Sequence, residues 1–420
     1  MDQNKIYVYA GWEDNTEIGT IYSDMLNGVE VVSFAYEQEW LQKHPSLILD
    51  PTFEQSPYRF YSKDRMLFGA FQDSCPDRWG RKLIDRRESI YAEKEGRRPQ
   101  KFTETEYMLR LQDITRSGAF RFKTEKQGDY LGNYDLSVPP ISSVRELEQI
   151  SLGYEKGSDE RWVEQLVNPG SSLGGARPKA NVRDVDGSLW IAKFPSKYDD
   201  YDIGAWEQVV HDIAKECHIM VPESKLCRYS DLGSTFLVKR FDREYDTSGV
   251  EQRIHFASAM TMLGMRDGNT DGVGFLDLVD IVGKITANTD KELEYLFRRV
   301  IFDIAISNQD NHLRNHGFLL KDNKWSLSPS YDLNPVYNAD YLSMNIDMDD
   351  GRRSFDKALS TASFYHLTYE KAMGIINEVS ETVTELWYKL STKYCIPEAE
   401  KRRMSPAFEL AKRQAKKVLF

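Results

Sequence analysis

The 420-residue chain is long enough for two or three domains, and its 40% hydrophobic and 29% charged content suits a soluble globular protein rather than a disordered one. A net charge of −11 excludes a general affinity for nucleic acid or anionic membrane. Cys75, Cys217, Cys227 and Cys395 form no CxxC pair, and neither a basic-then-apolar leader nor a run of about 18 apolar residues is present, so a disulfide framework, a zinc site, secretion and a membrane span give way to a cytoplasmic chain.

Taken in order, Ile6–Tyr9, Glu17–Tyr22 and Val31–Tyr36 mix alternation with β-rich composition and predict a small antiparallel meander. Helices are expected over Asp77–Arg87 and Thr103–Leu111, and the Gly- and Pro-bearing stretch 127–143 reads as a connector. Lys179–Arg183 and Ser188–Phe194 flank the turn Asp184-Val185-Asp186-Gly187 as two strands; a helix near Gly204–Glu216 and a strand over Ser234–Phe241 follow. Beyond these the chain is mainly helical. Thr289-Asp290-Lys291-Glu292 has the capping-box pattern, and the helix behind it carries Leu293, Leu296, Phe297, Val300, Ile301 and Ile304 on one face. Gly317–Leu320 and Lys324–Leu327 then make a hairpin about Asp322-Asn323. The basic stretch Ala411–Lys417 reads as the solvated face of a last helix. The expected organisation is mixed α/β (α+β): a β-rich subdomain over 1–125, an α/β part over 126–248 and a helical part over 249–420, with a cleft between two lobes as the economical arrangement.

Three constellations carry chemistry. Asn308-Gln309-Asp310-Asn311-His312-Leu313-Arg314-Asn315 and Tyr331-Asp332-Leu333 set an Asp, an Asn five residues on and a second Asp past a hairpin. One carboxylate, Asp310, can accept the proton of an attacking hydroxyl while Asn315 and Asp332 hold magnesium, which is the set phosphoryl transfer from ATP needs. Asx-rich loops also cap helices and turns everywhere, so the weight lies in the joint pattern. Upstream, Asn168–Lys179 is a Gly/Ser loop whose backbone can approach phosphate, although it is not a Walker loop because no GK[ST] follows. Lys193, ending the strand after that loop, can pair with phosphates, with Glu207 on the next helix as its partner; a solvated edge lysine is the plainer alternative. His312 reads as a structural hydrogen-bonding residue, since Asp310 fills the role of base.

Other chemistries fall away. Asp267–Gly272 begins like an EF-hand, but Leu278 stands where the bidentate Glu is needed. His312 and His316 lack the Glu of HExxH, and no GxSxG elbow is present.

These residues resemble the HipA-type serine/threonine kinases, toxins of bacterial toxin–antitoxin pairs, over nearly the whole chain. Asp73-Ser74-Cys75-Pro76-Asp77-Arg78-Trp79-Gly80-Arg81 is similar to that family's DSLPDxWG signature with Cys75 in the usual Leu position, and Asp113–Phe122 is similar to its GALRF element. Ser172–Lys179, Lys193, Lys239-Arg240-Phe241-Asp242-Arg243, the NxDxHxxN loop and the Tyr331-Asp332-Leu333 segment follow in the same order. The chain departs from the family at Arg253–Ser258, which lacks an acidic-then-Gln pattern, and at Arg314, where Lys is frequent.

The resemblance implies a bilobal protein-kinase-like fold with ATP and Mg2+ as cofactors. It implies Asp310 as catalytic base, Asn315 and Asp332 as metal ligands, and Lys193 as the phosphate lysine. Ser172, Gly174, Gly175, Lys179 and Glu207 would sit at the nucleotide, and the hinge backbone around Lys239 and Phe241 would face adenine. It also implies autophosphorylation of Ser172, with Ser171 as the adjacent rival, a protein substrate such as an aminoacyl-tRNA synthetase, and a small DNA-binding antitoxin of HipB type as partner. A small-molecule kinase and a catalytically silent antitoxin-binding corepressor are the rival readings.

Overall fold

The computed structural model describes residues 5–63, 67–132, 138–155, 166–167, 175–245, 251–266, 268 and 272–418. The chain divides into two compact units: Met1–Ser196 with Lys239–Ala257 and Leu319–Asn323, and Lys197–Val238 with Ser258–Phe318 and Lys324–Phe420.

In the first unit the expected meander forms. Strands β1 (Lys5–Ala10), β2 (Thr16–Leu26) and β3 (Val29–Tyr36) pair antiparallel, and β4 (Phe60–Tyr61) and β5 (Phe120–Lys123) complete a sheet of order β4-β3-β2-β1-β5. β2 runs on past Tyr22, where the sequence pattern ends. Asn27 and Gly28, at φ 52° and 77°, make the tight turn that lets pairing continue to Leu26 opposite Val29. Ile21 lies opposite Phe34, whose ring stacks on Phe53 at 5.1 Å and meets Phe71 edge-on at 5.3 Å. Gly19 makes room for that ring: a Cβ there would stand 2.6 Å from it. Asp77 caps the helix Arg78–Lys94 by accepting from Gly80 N at 2.8 Å, and Thr103 with Glu106 forms a complete capping box for Glu104–Arg110. Strands β6 (Lys179–Arg183) and β7 (Leu189–Lys193) form the predicted hairpin, with Gly187 at φ 86° in its turn.

A buried ion cluster joins two of the sequence motifs in this unit. Asp242 accepts from Arg240 Nε at 2.9 Å, from Arg243 at 2.9 Å and from Gly118 N at 2.8 Å. The same two arginines donate to the backbone oxygen of Arg116, each at 2.8 Å. The segment 239–243 thereby grips the turn before β5. The two guanidiniums hold the Asp242 carboxyl down at about 2 against the opposing cost of burial.

In the second unit Asp202 caps the helix Ile203–Glu216 through Ala205 N at 3.0 Å and also accepts from Ser234 N at 2.9 Å. Ser234 opens β9 (Gly233–Lys239), which pairs antiparallel with β8 (Ser224–Ser230). The helix Thr289–Ile306 buries Leu293, Leu296, Phe297, Val300, Ile301 and Ile304, the face read from the sequence. Its start differs from expectation. Asn288 is the N-cap, no capping box forms, and the Glu292 carboxylate instead accepts from Leu327 N at 2.9 Å. A tertiary backbone donor has taken the acceptor that a local cap would have used. The last helix, Glu409–Val418, buries Ala411 and Ala415 and exposes Lys412, Arg413, Lys416 and Lys417, as expected. No helix among the described residues is long and apolar enough to cross a membrane.

His255 lies in the first unit between Trp12, stacked at 4.6 Å, and Phe120 at 4.3 Å; burial pushes its pKa down to about 3. The folded chain therefore resists a proton that the unfolded chain binds near pH 6.5. Stability falls as pH drops below that value, by about 1 kcal/mol between pH 6.5 and 5.5 for this group. Urea unfolding midpoints across this range are expected to fall less steeply for His255→Phe than for the parent.

Candidate active site

The loop that carries Asp310 begins where a helix must stop. Ser307 ends Thr289–Ile306 in the left-handed region at φ 60°, and its hydroxyl donates to Val336 O at 2.7 Å. The chain then folds back over the last turn of its own helix. Asn308 N donates to Asp303 O at 3.0 Å, and Asn308 Nδ2 donates to Asp303 Oδ1 at 2.8 Å. Asn311 Nδ2 donates to Asp303 Oδ2, and Asn311 Oδ1 accepts from His316 Nε2. Burial holds the His316 ring neutral, so Nε2 carries its single proton. The space beside this cluster, lined by Arg299, Phe302, Asn315 and Tyr331 among others, is about 10 Å3, room for about one water. With so little solvent the Asp303 carboxyl is pushed up to about 7, although the two amides and Arg299 pull it down.

Above that base, Asn315 Nδ2 donates to Asp310 O at 2.7 Å, so the amide nitrogen braces the loop and the side-chain oxygen is the atom suited to a cation. The Asp310 side chain is 75% exposed, with His312 Nε2 3.9 Å from its Oδ1. Asp332 stands at φ 58°, a backbone region costly for a non-glycine residue and frequent at functional sites. Its segment is fastened to the Asp310 loop on both sides. Tyr331 Oη donates to Arg314 O at 2.7 Å, and Asn334 N donates to Asn308 Oδ1 at 3.3 Å. The three residues singled out from the sequence thus lie on two loops of one unit, stitched together. Among the described residues no three of His, Cys, Asp and Glu are grouped to hold a metal. Magnesium does not need such a cage, because one carboxylate, an amide oxygen, waters and phosphate oxygens are hard donors of the kind it takes.

In the first unit Lys179 and Lys193 lie directly opposite each other across β6 and β7. Directly opposed residues of an antiparallel pair share a sheet face, and two like charges there repel. Asp77, the helix cap from the DSCPDRWG segment, sits 3.1 Å from Lys179 Nζ, with both side chains at 4% exposure or less. Trp79 Nε1 donates to Lys179 O at 3.1 Å, and a Cβ on Gly175 would stand 3.1 Å from Lys179 Nζ. The N-terminal signature therefore grips the exit of the Gly/Ser loop. Ser171, Ser172 and Gly174 lie outside the described residues. Glu207 is buried on the helix Ile203–Glu216 of the second unit. Lys239 ends β9, and the Phe241 ring lies 6.0 Å from that of Phe256.

Sequence reasoning passed over Asp303, Asn308 and Asn311. A signal was present: Asp303 is the one charged residue in the apolar run Val300–Ile306, and a lone carboxylate among core positions implies dedicated donors. Of the two histidines in the loop, it is His316 that is buried and takes the hydrogen bond to Asn311.

Comparison with known proteins bears on family and fold. The HipA N-terminal domain family matches residues 11–100, and the HipA-like C-terminal domain family matches residues 171–387. Two Sinorhizobium fredii proteins named as kinases are similar in part. Y4mE is 29% identical over 126 residues, covering 29% of this chain and 30% of that protein. Y4dM is 25% identical over 244 residues, covering 54% of this chain and 55% of that protein. The chain thus spans about half or less of the length of these curated relatives. HipA of Shewanella oneidensis, solved with HipB and operator DNA, superposes with a TM-score of 0.67 at 16% identity, over 98% of this chain and 97% of that one, which shows a shared fold. With the N-terminal and C-terminal domains of that family matched in order along its length, the chain belongs to the HipA family.

Proposed function

We propose that the chain is an ATP-dependent serine/threonine protein kinase of the HipA type. The observation that carries this reading is the double fastening of the Asp332 segment to the Asp310 loop, through Tyr331 to Arg314 O and Asn334 N to Asn308, which keeps base and metal-ligand positions together. Asp310, exposed at the loop surface, accepts the proton of an incoming hydroxyl as its oxygen bonds to the γ-phosphorus and the bond to the ADP oxygen breaks. Asn315 through Oδ1 and Asp332 through its carboxylate hold Mg2+, which neutralises charge on the phosphates. Lys193 meets the nucleotide phosphates, while Lys179, neutralised by Asp77, braces the exit of the Gly/Ser loop. Backbone of that loop, with Gly174 and Gly175, approaches the phosphates; Glu207 orients the lysine, and the hinge at Lys239 and Phe241 meets adenine.

The hydroxyl belongs to a protein Ser or Thr, with an aminoacyl-tRNA synthetase as the expected class of target, and also to the chain's own Ser172 or Ser171. A phosphate there adds about −1.5 to −2 charge and repels the loop from ATP. A small DNA-binding antitoxin of HipB type is the expected partner, by analogy with the HipB found with the Shewanella protein.

Incubation with Mg-ATP followed by intact mass and peptide mapping tests the reading. The parent is expected to gain phosphate on Ser172 or Ser171, and Asp310→Asn to lose about 10²–10⁴-fold in rate. Failure of the parent to phosphorylate either itself or a protein substrate, with nucleotide bound, overturns the kinase reading in favour of a corepressor; transfer to small alcohols alone points to a small-molecule kinase. The two opposed lysines are expected to separate cleanly. Lys179→Met leaves Asp77 buried without its cation and costs about 3 kcal/mol in urea unfolding. Lys193→Met lowers the transfer rate and costs less stability than Lys179→Met, because it leaves the Asp77–Lys179 pair intact.

A further inference from the structure

The geometry points to Asp303 as a positioning residue for the phosphoryl-transfer site: its buried carboxylate, through Asn308 and Asn311, holds the Asp310 loop and the Asp332 segment in one register. The inference rests on the kinase reading for its catalytic consequence, and on the hydrogen-bond pattern alone for its structural one.

Asp303 sits on the last turn of Thr289–Ile306 with 3% exposure, inside the unit's packed core. Each of its oxygens receives one side-chain amide: Oδ1 that of Asn308 and Oδ2 that of Asn311. Each amide then spends its own oxygen on a different segment. Asn308 Oδ1 accepts from Asn334 N at 3.3 Å, two residues past Asp332. Asn311 Oδ1 accepts from His316 Nε2, one residue past Asn315. His316 O in turn accepts from Ala259 N at 2.8 Å, tying the far end of the loop to the short helix Ala259–Met262. Starting at one carboxylate, two branches therefore reach the neighbours of both proposed metal ligands and enclose Asp310 between them. Asp303 touches neither substrate nor metal in this arrangement. Its effect is on placement, and an error of about 1 Å in placement costs about 10²-fold in rate.

The polarity of the network supplies the test. Asn308 and Asn311 both present NH2 groups to Asp303, so Asp303→Asn sets an amide NH2 against one of them whichever way it turns, and one branch breaks. Exchanging the two groups, Asp303→Asn with Asn311→Asp, restores donor to acceptor. The new amide at position 303 accepts from Asn308 and donates to the carboxylate at 311, which still accepts from His316 Nε2.

The experiment measures Mg-ATP-dependent transfer at pH 8, together with backbone hydrogen exchange of peptides covering 308–316 and 331–336, in parent, single variant and exchanged pair. Asp303→Asn is expected to lower kcat 10- to 100-fold with KM for ATP within about threefold of the parent. Exchange should rise in both peptides together, and the exchanged pair should recover both readouts to within about fivefold of the parent. Unchanged exchange in both peptides overturns the inference whatever the activity. So does a folded exchanged pair, judged by its thermal transition, that recovers neither readout. A silent parent whose two peptides still loosen together in Asp303→Asn instead removes the kinase reading and leaves the placement role standing.

Discussion

A carboxylate taken out of water must be met by donors, and in the second unit that requirement directs the chain. The helix Thr289–Ile306 delivers Asp303 into a core where about one water fits, so the charge there depends on amides that the chain itself brings back. Ser307 turns left-handed, Asn308 lands on one oxygen and Asn311 on the other. Once both are placed, little freedom remains for the residues between and just beyond them. Asp310 and Asn315 take their places as a consequence of where the helix ends.

The same logic recurs twice in the first unit with arginine or lysine as the donor. Asp242 draws Arg240 and Arg243 inward, and these also hold the backbone of Arg116, which fastens the segment 239–243 to the turn ahead of β5. Asp77 caps a helix and neutralises Lys179, which fastens the DSCPDRWG segment to the end of the Gly/Ser loop. Asp242 and Asp77 belong to segments that stand out in the sequence, and Asp303 lies on the helix that leads into one. Each also joins stretches distant along the chain or re-entering on themselves. Such motifs are then spelled out by the need to satisfy a buried charge as much as by the chemistry of a substrate. Removing one partner of such a cluster leaves the other charged and dry, which makes the clusters intolerant of single changes.

This division explains what could be read from the sequence. Period and turn chemistry are local, so the meander, the β6–β7 hairpin, the apolar face from Leu293 to Ile304 and the solvated last helix were all legible. The capping box at Thr289 was a local pattern defeated by a tertiary competitor, since Leu327 N arrives from a strand that no window around Thr289 contains. The candidate site stood out in the sequence as an ordered set of residue types, Asp310, Asn315 and Asp332, and the structure places these on two loops fastened to each other. What holds them did not stand out. Asn308 and Asn311 read as ordinary members of an Asx-rich loop, and only the placement of Asp303 beneath them gives each amide a separate task.

The opposed lysines show how a buried pair can set two similar residues in different surroundings. Lys179 and Lys193 face each other across one hairpin, and two ammonium groups on one sheet face repel. Asp77 relieves this by pairing with the more buried of the two, and Gly175, whose missing side chain leaves space beside Lys179 Nζ, lets the chain pass close to that pair. A lysine so neutralised adds little attraction for a phosphate, whereas the lysine opposite it across the hairpin is half-buried. By capping a helix and satisfying one cation at once, Asp77 ties the DSCPDRWG segment to the strand that opens at Lys179.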